Sequence, residues 1–191
     1  SINTTLEDGK YELSLEGYYK KMSNLITYKA GYSNLQSTES WDNAIETGGQ
    51  GESYGLEVFF QKKTGRTTGW IGYTLSKTTR EFDELNDGNW YYSKYDRTHD
   101  LSLVLNYEIS ERLNFSTVFI YATGNSLTVP KSVYVINGEL LTEWGDRNSY
   151  RMSPYHRMDV SLTLKNKPEK KYDSSWSLSI YNIYNRQNPY F

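Results

Sequence analysis

The chain has 191 residues, a formal charge of −2 and no cysteine. That length suits one ordinary domain, the charge gives no argument for nucleic acid, and disulfides and cysteine-based zinc sites are excluded. The chain carries 19 Tyr, 5 Trp and 6 Phe at a mean hydropathy of −0.75, so its apolar residues are thinly spread, as in alternating strands and not as in a thick core or a disordered chain.

Period two runs through the chain. The first predicted strand covers 10–29; in "YELSLEGYYK", Tyr11, Leu13, Leu15 and Tyr19 share a face opposite Glu12, Ser14 and Glu16. The second covers 53–64, with Tyr54, Leu56, Val58 and Phe60 opposite Glu57 and Gln61. The third, 68–80, aligns Ile71, Tyr73 and Leu75. The fourth, 97–109, sets Leu101, Leu103 and Leu105 against Ser102, Asn106 and Glu108. The fifth, 112–124, aligns Leu113, Phe115, Phe119 and Tyr121, interrupted by Thr117. The sixth, 156–166, opposes Val160, Leu162 and Leu164 to Asp159, Ser161 and Lys165. The seventh, 173–186, opposes Leu178 and Ile180 to Ser177 and Ser179. No segment reads as a helix.

The connections alternate. Those at 63–69, 109–114 and 165–173 are short, whereas 31–52, 79–96 and 124–155 are long and rich in Gly, Asn, Ser, Trp and Tyr. Short turns at one end, long loops at the other, and strands of about ten residues with one apolar face describe an outer-membrane barrel. A tilted strand of about 9–11 residues crosses the hydrocarbon, so the absence of an apolar run of about 18 residues does not argue against a membrane. Tyrosines at strand ends suit an interfacial girdle. The leucine and valine faces, with Ile180, are expected against lipid, and Glu108, Asp159 and Lys165 inside. Seven is an odd count for a barrel whose strands are even in number, and an open sheet leaves backbone groups unpaired in lipid. The chain is therefore expected to be a piece of a larger barrel or to pair with another chain. The opening "SINTTLEDGK" has no basic-then-apolar leader.

Six stretches now point to a family. "YYKKMSNLITYK" (18–29), "YGLEVFFQKKTGRTTGWIGYTLSKTTREF" (54–82), "YDRTHDLSLVLNY" (95–107), "YATGNSLTVP" (121–130), "RNSYRMSPYHRMDVSL" (147–162) and "SIYNIYNRQNPYF" (179–191) follow in one order. Together they resemble the C-terminal barrel segment of TonB-dependent outer-membrane receptors, notably those of Bacteroidetes. The resemblance implies an all-β, antiparallel, up-and-down transmembrane barrel segment of about seven strands, part of a 22-stranded barrel. Residues 1–191 would form a partial barrel domain, with the plug domain, the TonB box and the closing strand outside it. A terminal Phe191 imitates a barrel-assembly signal, but "NRQNPYF" lacks the alternation of a last strand. The implied function is import of a scarce nutrient across the outer membrane. The implied partners are the lipid bilayer, the rest of the barrel and its plug, TonB in the periplasm and a surface lipoprotein lid. A small or partner-completed outer-membrane barrel with a binding or structural role is the alternative.

The polar residues need weighing beside this. Asp96, Arg97, His99 and Asp100 precede one alternating strand, and His156, Arg157 and Asp159 open another. A histidine beside a carboxylate suggests acid–base chemistry. A catalytic site needs groups converging in a pocket, and the same order returning sixty residues later argues for architecture. These seven residues are expected as a polar rim, with Asp96, Arg97, Arg157 and Asp159 pairing across neighbouring strands. Exposed pairs of this type contribute about 0–1 kcal/mol each. There is no Gly-Xaa-Ser-Xaa-Gly nucleophile elbow, and "TGGQG" lacks a strand-to-helix setting for phosphate. No enzyme, cofactor or metal site is expected. Trp41, Trp90, Tyr91, Tyr92, Tyr134, Trp144 and Tyr150 fall in the long loops. As amphipathic aromatics they are the candidate ligand-binding residues.

Overall fold

Alternating side chains of this kind have one stable outcome, a sheet with two unlike faces. The computed structural model describes residues 1–29, 44–167 and 172–189. Trp41 and Phe191 lie outside the described residues. The main sheet is an antiparallel meander of β1 (Ile2–Leu6), β2 (Tyr11–Tyr28), β3 (Ile45–Lys62), β4 (Thr67–Glu81), β6 (His99–Glu108), β7 (Leu113–Ala122), β12 (Tyr155–Lys165) and β13 (Ser175–Ile180), in that order. The short β5 (Tyr91–Tyr92) pairs with β4 beside this path. Among the described residues no helix is long and apolar enough to cross a membrane.

The register extends each face across strands. Phe60, Ile71, Leu103, Phe119 and Met158 lie in one transverse row. Leu105, Thr117, Val160 and Ile180 make the next, so the expected apolar set shares a face. On the opposite face Asn106, Ser116, Ser161 and Ser179 align, as do Glu108, Asn114, Thr163 and Ser177. Hydroxyls bridge neighbouring strands there: Ser161 to Ser179 and Thr163 to Ser177, both at 2.9 Å. This polar face also carries an apolar patch, with Trp70, Val104 and Val118 in one row and Phe59 and Ile120 in the next.

Among the described residues the meander has eight strands where the periodicity predicts seven, so the odd-count argument falls. The added strand, β1, turns back at 7–10, where Glu7, Asp8 and Gly9 all have positive φ. Asp-Gly is a hairpin signal, and Leu6 opposes Tyr11 across the turn. β3 begins at Ile45, eight residues before the predicted start, because Glu46, Gly49 and Gly51 pair with Thr27, Leu25 and Met22. That glycine-rich stretch has no alternation to betray it. Within the longest connection, β9 (Pro130–Ile136) and β10 (Glu139–Trp144) form a separate hairpin. Asn137 and Gly138 have φ of 54° and 84°, as a two-residue type I′ turn requires. Two short strands, β8 (Ser126–Leu127) and β11 (Tyr150–Arg151), pair beside it.

β13 ends at Ile180, six residues short of the predicted end. Asn182 and Asn185 are left-handed, and the Asn182 carboxamide bonds the backbone of Arg186 in both directions. An asparagine side chain competing for local backbone in this way ends a strand.

The strand ends joined by short connections (Leu6 and Tyr11, Lys62 and Thr67, Glu108 and Leu113, Lys165 and Ser175) lie at one end of the sheet, and those joined by long ones lie at the other. Among the described residues both edges are open, since β1 and β13 each have one strand partner. The apolar face is exposed, reaching 68% at Leu178 and 82% at Trp176 on the edge strand. Buried apolar side chains are few, and they cluster among the long connections: Phe82, Leu85 and Tyr91, with Leu25 against them. The ring of Phe82 lies over Gly49, where a Cβ would come within 2.3 Å of it.

Candidate functional site

The long-loop end holds a cleft of about 580 Å³. Five segments frame it: Thr27 and Tyr28 at the top of β2, Arg80 on β4, residues 91–95, residues 126–128, and Arg147 with Asn148. Arg80 follows Trp70, Thr74 and Thr78 on the polar face of β4, so the period-two pattern delivers it to this end. Arg147 is set by its own backbone: its N–H donates to Asn86 Oδ1 at 2.6 Å, and Asn86 Nδ2 donates to its carbonyl at 3.2 Å. Its guanidinium donates to the Tyr28 carbonyl at 2.6 Å and to Thr27 Oγ1 at 3.1 Å. Asn148 donates from its backbone to Thr128 Oγ1 and from Nδ2 to the Tyr92 carbonyl.

Cations dominate the cleft. Arg80, Lys94 and Arg147 line it, and no carboxylate does among the described residues. Arg80 Nε is buried without a hydrogen-bond partner, as is the Oγ of Ser126, which is 1% exposed. Tyr91, 7% exposed, has its phenol pushed above the usual range by burial, against the opposing pull of the Arg147 and Arg80 charges.

The expected site residues fall in several places. Of the loop aromatics, Tyr91 lines the cleft. Tyr92 points elsewhere, with the Arg151 guanidinium 4.7 Å above its ring. Trp90 and Tyr150 are exposed, and Trp144 sits at the foot of the β9–β10 hairpin. Tyr134 is on that hairpin, its hydroxyl donating to Glu143 at 2.9 Å.

The rim residues do not pair as expected. Asp96 is 2% exposed; its carboxylate accepts from Arg151 Nη2 at 2.6 Å and from the Thr78 N–H at 2.6 Å. Arg151 also donates to the carbonyls of Asp96 and Gly124, so one ion pair ties three segments together. Arg97 meets Asp100 at 3.4 Å, and Arg157 meets Asp159 at 3.0 Å, both within their own segments. Residues two apart on a strand share a face, which brings Arg157 to Asp159 before any neighbouring strand. Asp159 also accepts from the Asn182 N–H at 2.9 Å, and the Arg157 guanidinium lies 4.0 Å from the Tyr181 ring centre.

The two histidines turn to the apolar face. His99 Nδ1 hydrogen-bonds the Tyr73 hydroxyl at 2.8 Å, and His156 Nδ1 the Tyr184 hydroxyl at 2.9 Å. Each ring also stacks on a tyrosine of an adjacent strand, Tyr73 or Tyr121. Each histidine therefore sits with tyrosine in an aromatic band near the long-loop end. Sequence reasoning missed Arg80, Arg147, Arg151 and Ser126. Arg80 was legible as the last polar-face position of its strand; Arg147 lies in a loop, and Ser126 and Arg151 lie in two-residue strands too short to show a period.

No family model matches the chain, and no curated protein does. Among solved structures, the chain is similar to the ferripyoverdine receptor of the outer membrane of Pseudomonas aeruginosa, crystallised with ferripyoverdine bound. The likeness has a TM-score of 0.66 at 15% identity, and covers 96% of this chain. The chain spans only 22% of that receptor. At this identity the likeness is one of fold, and the fold is that of an antiparallel segment of an outer-membrane receptor barrel.

Proposed function

We propose that the chain is part of the barrel of a TonB-dependent outer-membrane receptor that imports a scarce nutrient, with no catalysis of its own. One observation carries this reading. The apolar face runs from β2 to β13, interrupted at Thr117, and is largely exposed, while the opposite face is mostly hydroxyl, amide and carboxylate outside the patch around Trp70. In water, an exposed apolar surface of this extent would drive association. In a bilayer the same surface is the expected outer wall. The fold likeness supports the receptor-barrel reading; the Bacteroidetes type and the 22-stranded barrel rest on the six motifs alone.

Residues 1–191 are then a partial barrel domain whose edges, β1 and β13, continue into further strands. Its partners are the bilayer, the plug, TonB through that plug, and a lipoprotein lid over the long-loop end. The open edges equally support the second reading, in which another chain completes the wall.

Spin labels test the wall. At Leu103→Cys and Leu162→Cys, molecular oxygen dissolved in lipid should relax the label. At Ser102→Cys and Ser161→Cys, a water-soluble relaxant should do so. The reverse pattern would remove the membrane reading altogether.

A further inference from the structure

We propose that the cleft at the long-loop end is an oxyanion subsite, taking a carboxylate or phosphate group of a small ligand on Arg80, Arg147 and Lys94. The assignment deepens the receptor reading and rests on it for the cleft's access to external ligand. It begins from an imbalance: three cationic side chains line one cleft, and among the described residues no carboxylate lines it. Asp96, in the adjoining turn, is already taken by Arg151 and the Thr78 amide.

The geometry adds two open valences. Arg80 Nε and Ser126 Oγ are both buried and both lack a hydrogen-bond partner. Buried polar atoms are rarely left so, and an exception calls for a partner from elsewhere. Arg147 is held in place through Tyr28 and Thr27, so its charge is fixed before any ligand arrives. Tyr91 lines the same cleft as Arg80 and Arg147, and its phenol feels both guanidinium charges. A planar guanidinium fork fits carboxylate and phosphate oxygens, whereas a neutral sugar would leave the positive charge uncompensated. The cleft, at about 580 Å³, has the volume of a small-ligand site.

The test is isothermal titration of the full-length protein in detergent with citrate, pyrophosphate and neutral maltotriose. Binding of citrate marks a carboxylate subsite, and binding of pyrophosphate a phosphate subsite. Either should weaken as salt rises, and maltotriose should not compete. Arg80→Gln should weaken anion binding about tenfold. Arg80→Lys should retain part of it, and both variants should keep the native heat-modifiable mobility. Silence with both anions overturns the subsite, as does full affinity in an Arg80→Gln, Lys94→Gln double variant. Residues 1–191 hold no cysteine, so Lys131→Cys, read against the same cells without that substitution, reports separately on access. Labelling of that cysteine by an impermeant maleimide on intact cells, without anion binding, removes the subsite and leaves the receptor reading. Anion binding without labelling removes the receptor reading and leaves the subsite.

Discussion

At Gly69, φ is 151° and a Cβ would lie 2.1 Å from the Val104 carbonyl oxygen of the neighbouring strand. No rotamer relieves a clash with backbone. Gly69→Ala should therefore destabilise the sheet by about 1–3 kcal/mol. Gly72→Ala, three residues on in the same strand, meets nothing closer than 3.7 Å and should be neutral. The temperature at which each variant loses its folded gel mobility separates them, and equal losses would refute the backbone argument. Asp96 makes a second residue-scale case. Its carboxylate is wholly buried against Arg151, so Asp96→Ala leaves that guanidinium unpaired at a destabilisation of about 3 kcal/mol or more. Asp100→Ala, at a half-exposed pair, should change stability by under about 1 kcal/mol. The sequence places Asp96 and Asp100 in one rim cluster and cannot separate them, because burial at Asp96 is decided by Arg151, 55 residues away.

β12 and β13 part company at Val160. From there to Tyr155, the outer edge of β12 has no strand beside it; Val160 still opposes Ile180, and beyond it residues 181–188 take over. The Ile183 N–H donates to the Met158 carbonyl, and the Asn188 carboxamide both donates to and accepts from the His156 backbone. A side-chain amide thus stands in for one rung of the ladder. Asn188→Ala should expose the His156 N–H and lose about 1 kcal/mol locally. Faster amide exchange at His156 with Leu162 unchanged is the expected signature, and protection at His156 as in the native protein would contradict it. At this scale the sequence is legible where strands alternate: β4, β6, β7 and β12 fall within about two residues of their predicted spans, a margin ordinary at strand ends. Besides the unforeseen β1, it fails in three places, each for its own reason. β3 starts early on glycines recruited by β2, β13 stops early on left-handed asparagines, and the β9–β10 hairpin hid inside a stretch whose Asn-Gly turn was the one local clue.

For the molecule as a whole, the two open edges decide what the chain can do alone. Each unpaired N–H or C=O along β1 and β13 would lose several kcal/mol in hydrocarbon. Residues 1–191 expressed alone should fail to give a heat-modifiable, protease-resistant monomer in membranes. If they do give one, the chain is a small self-sufficient barrel and the importer reading is wrong. Within the intact wall, Leu103→Arg should destabilise by about 2–4 kcal/mol at mid-depth, and Ser102→Arg, on the other face, by far less. The candidate cleft was only half legible at this scale. Tyr91 and Arg80 come from strands or their margins, whereas Lys94, Ser126 and Arg147 are brought together by loops whose course no periodicity encodes.

The fold-back of 181–188 over the top of β12 has a meaning for the time before insertion. On the receptor reading, the strands must first travel through water, where a free β edge recruits any other extended chain it meets. Five residues of β12 would offer such an edge. Here the polypeptide supplies its own stopper from the segment that follows β13, held by the side chains of Arg186 and Asn188. The stopper forms from neighbours in sequence, so it is available before the distant parts of any barrel arrive. That stretch of β12 is then covered by the chain itself, unlike the outer edges of β1 and β13.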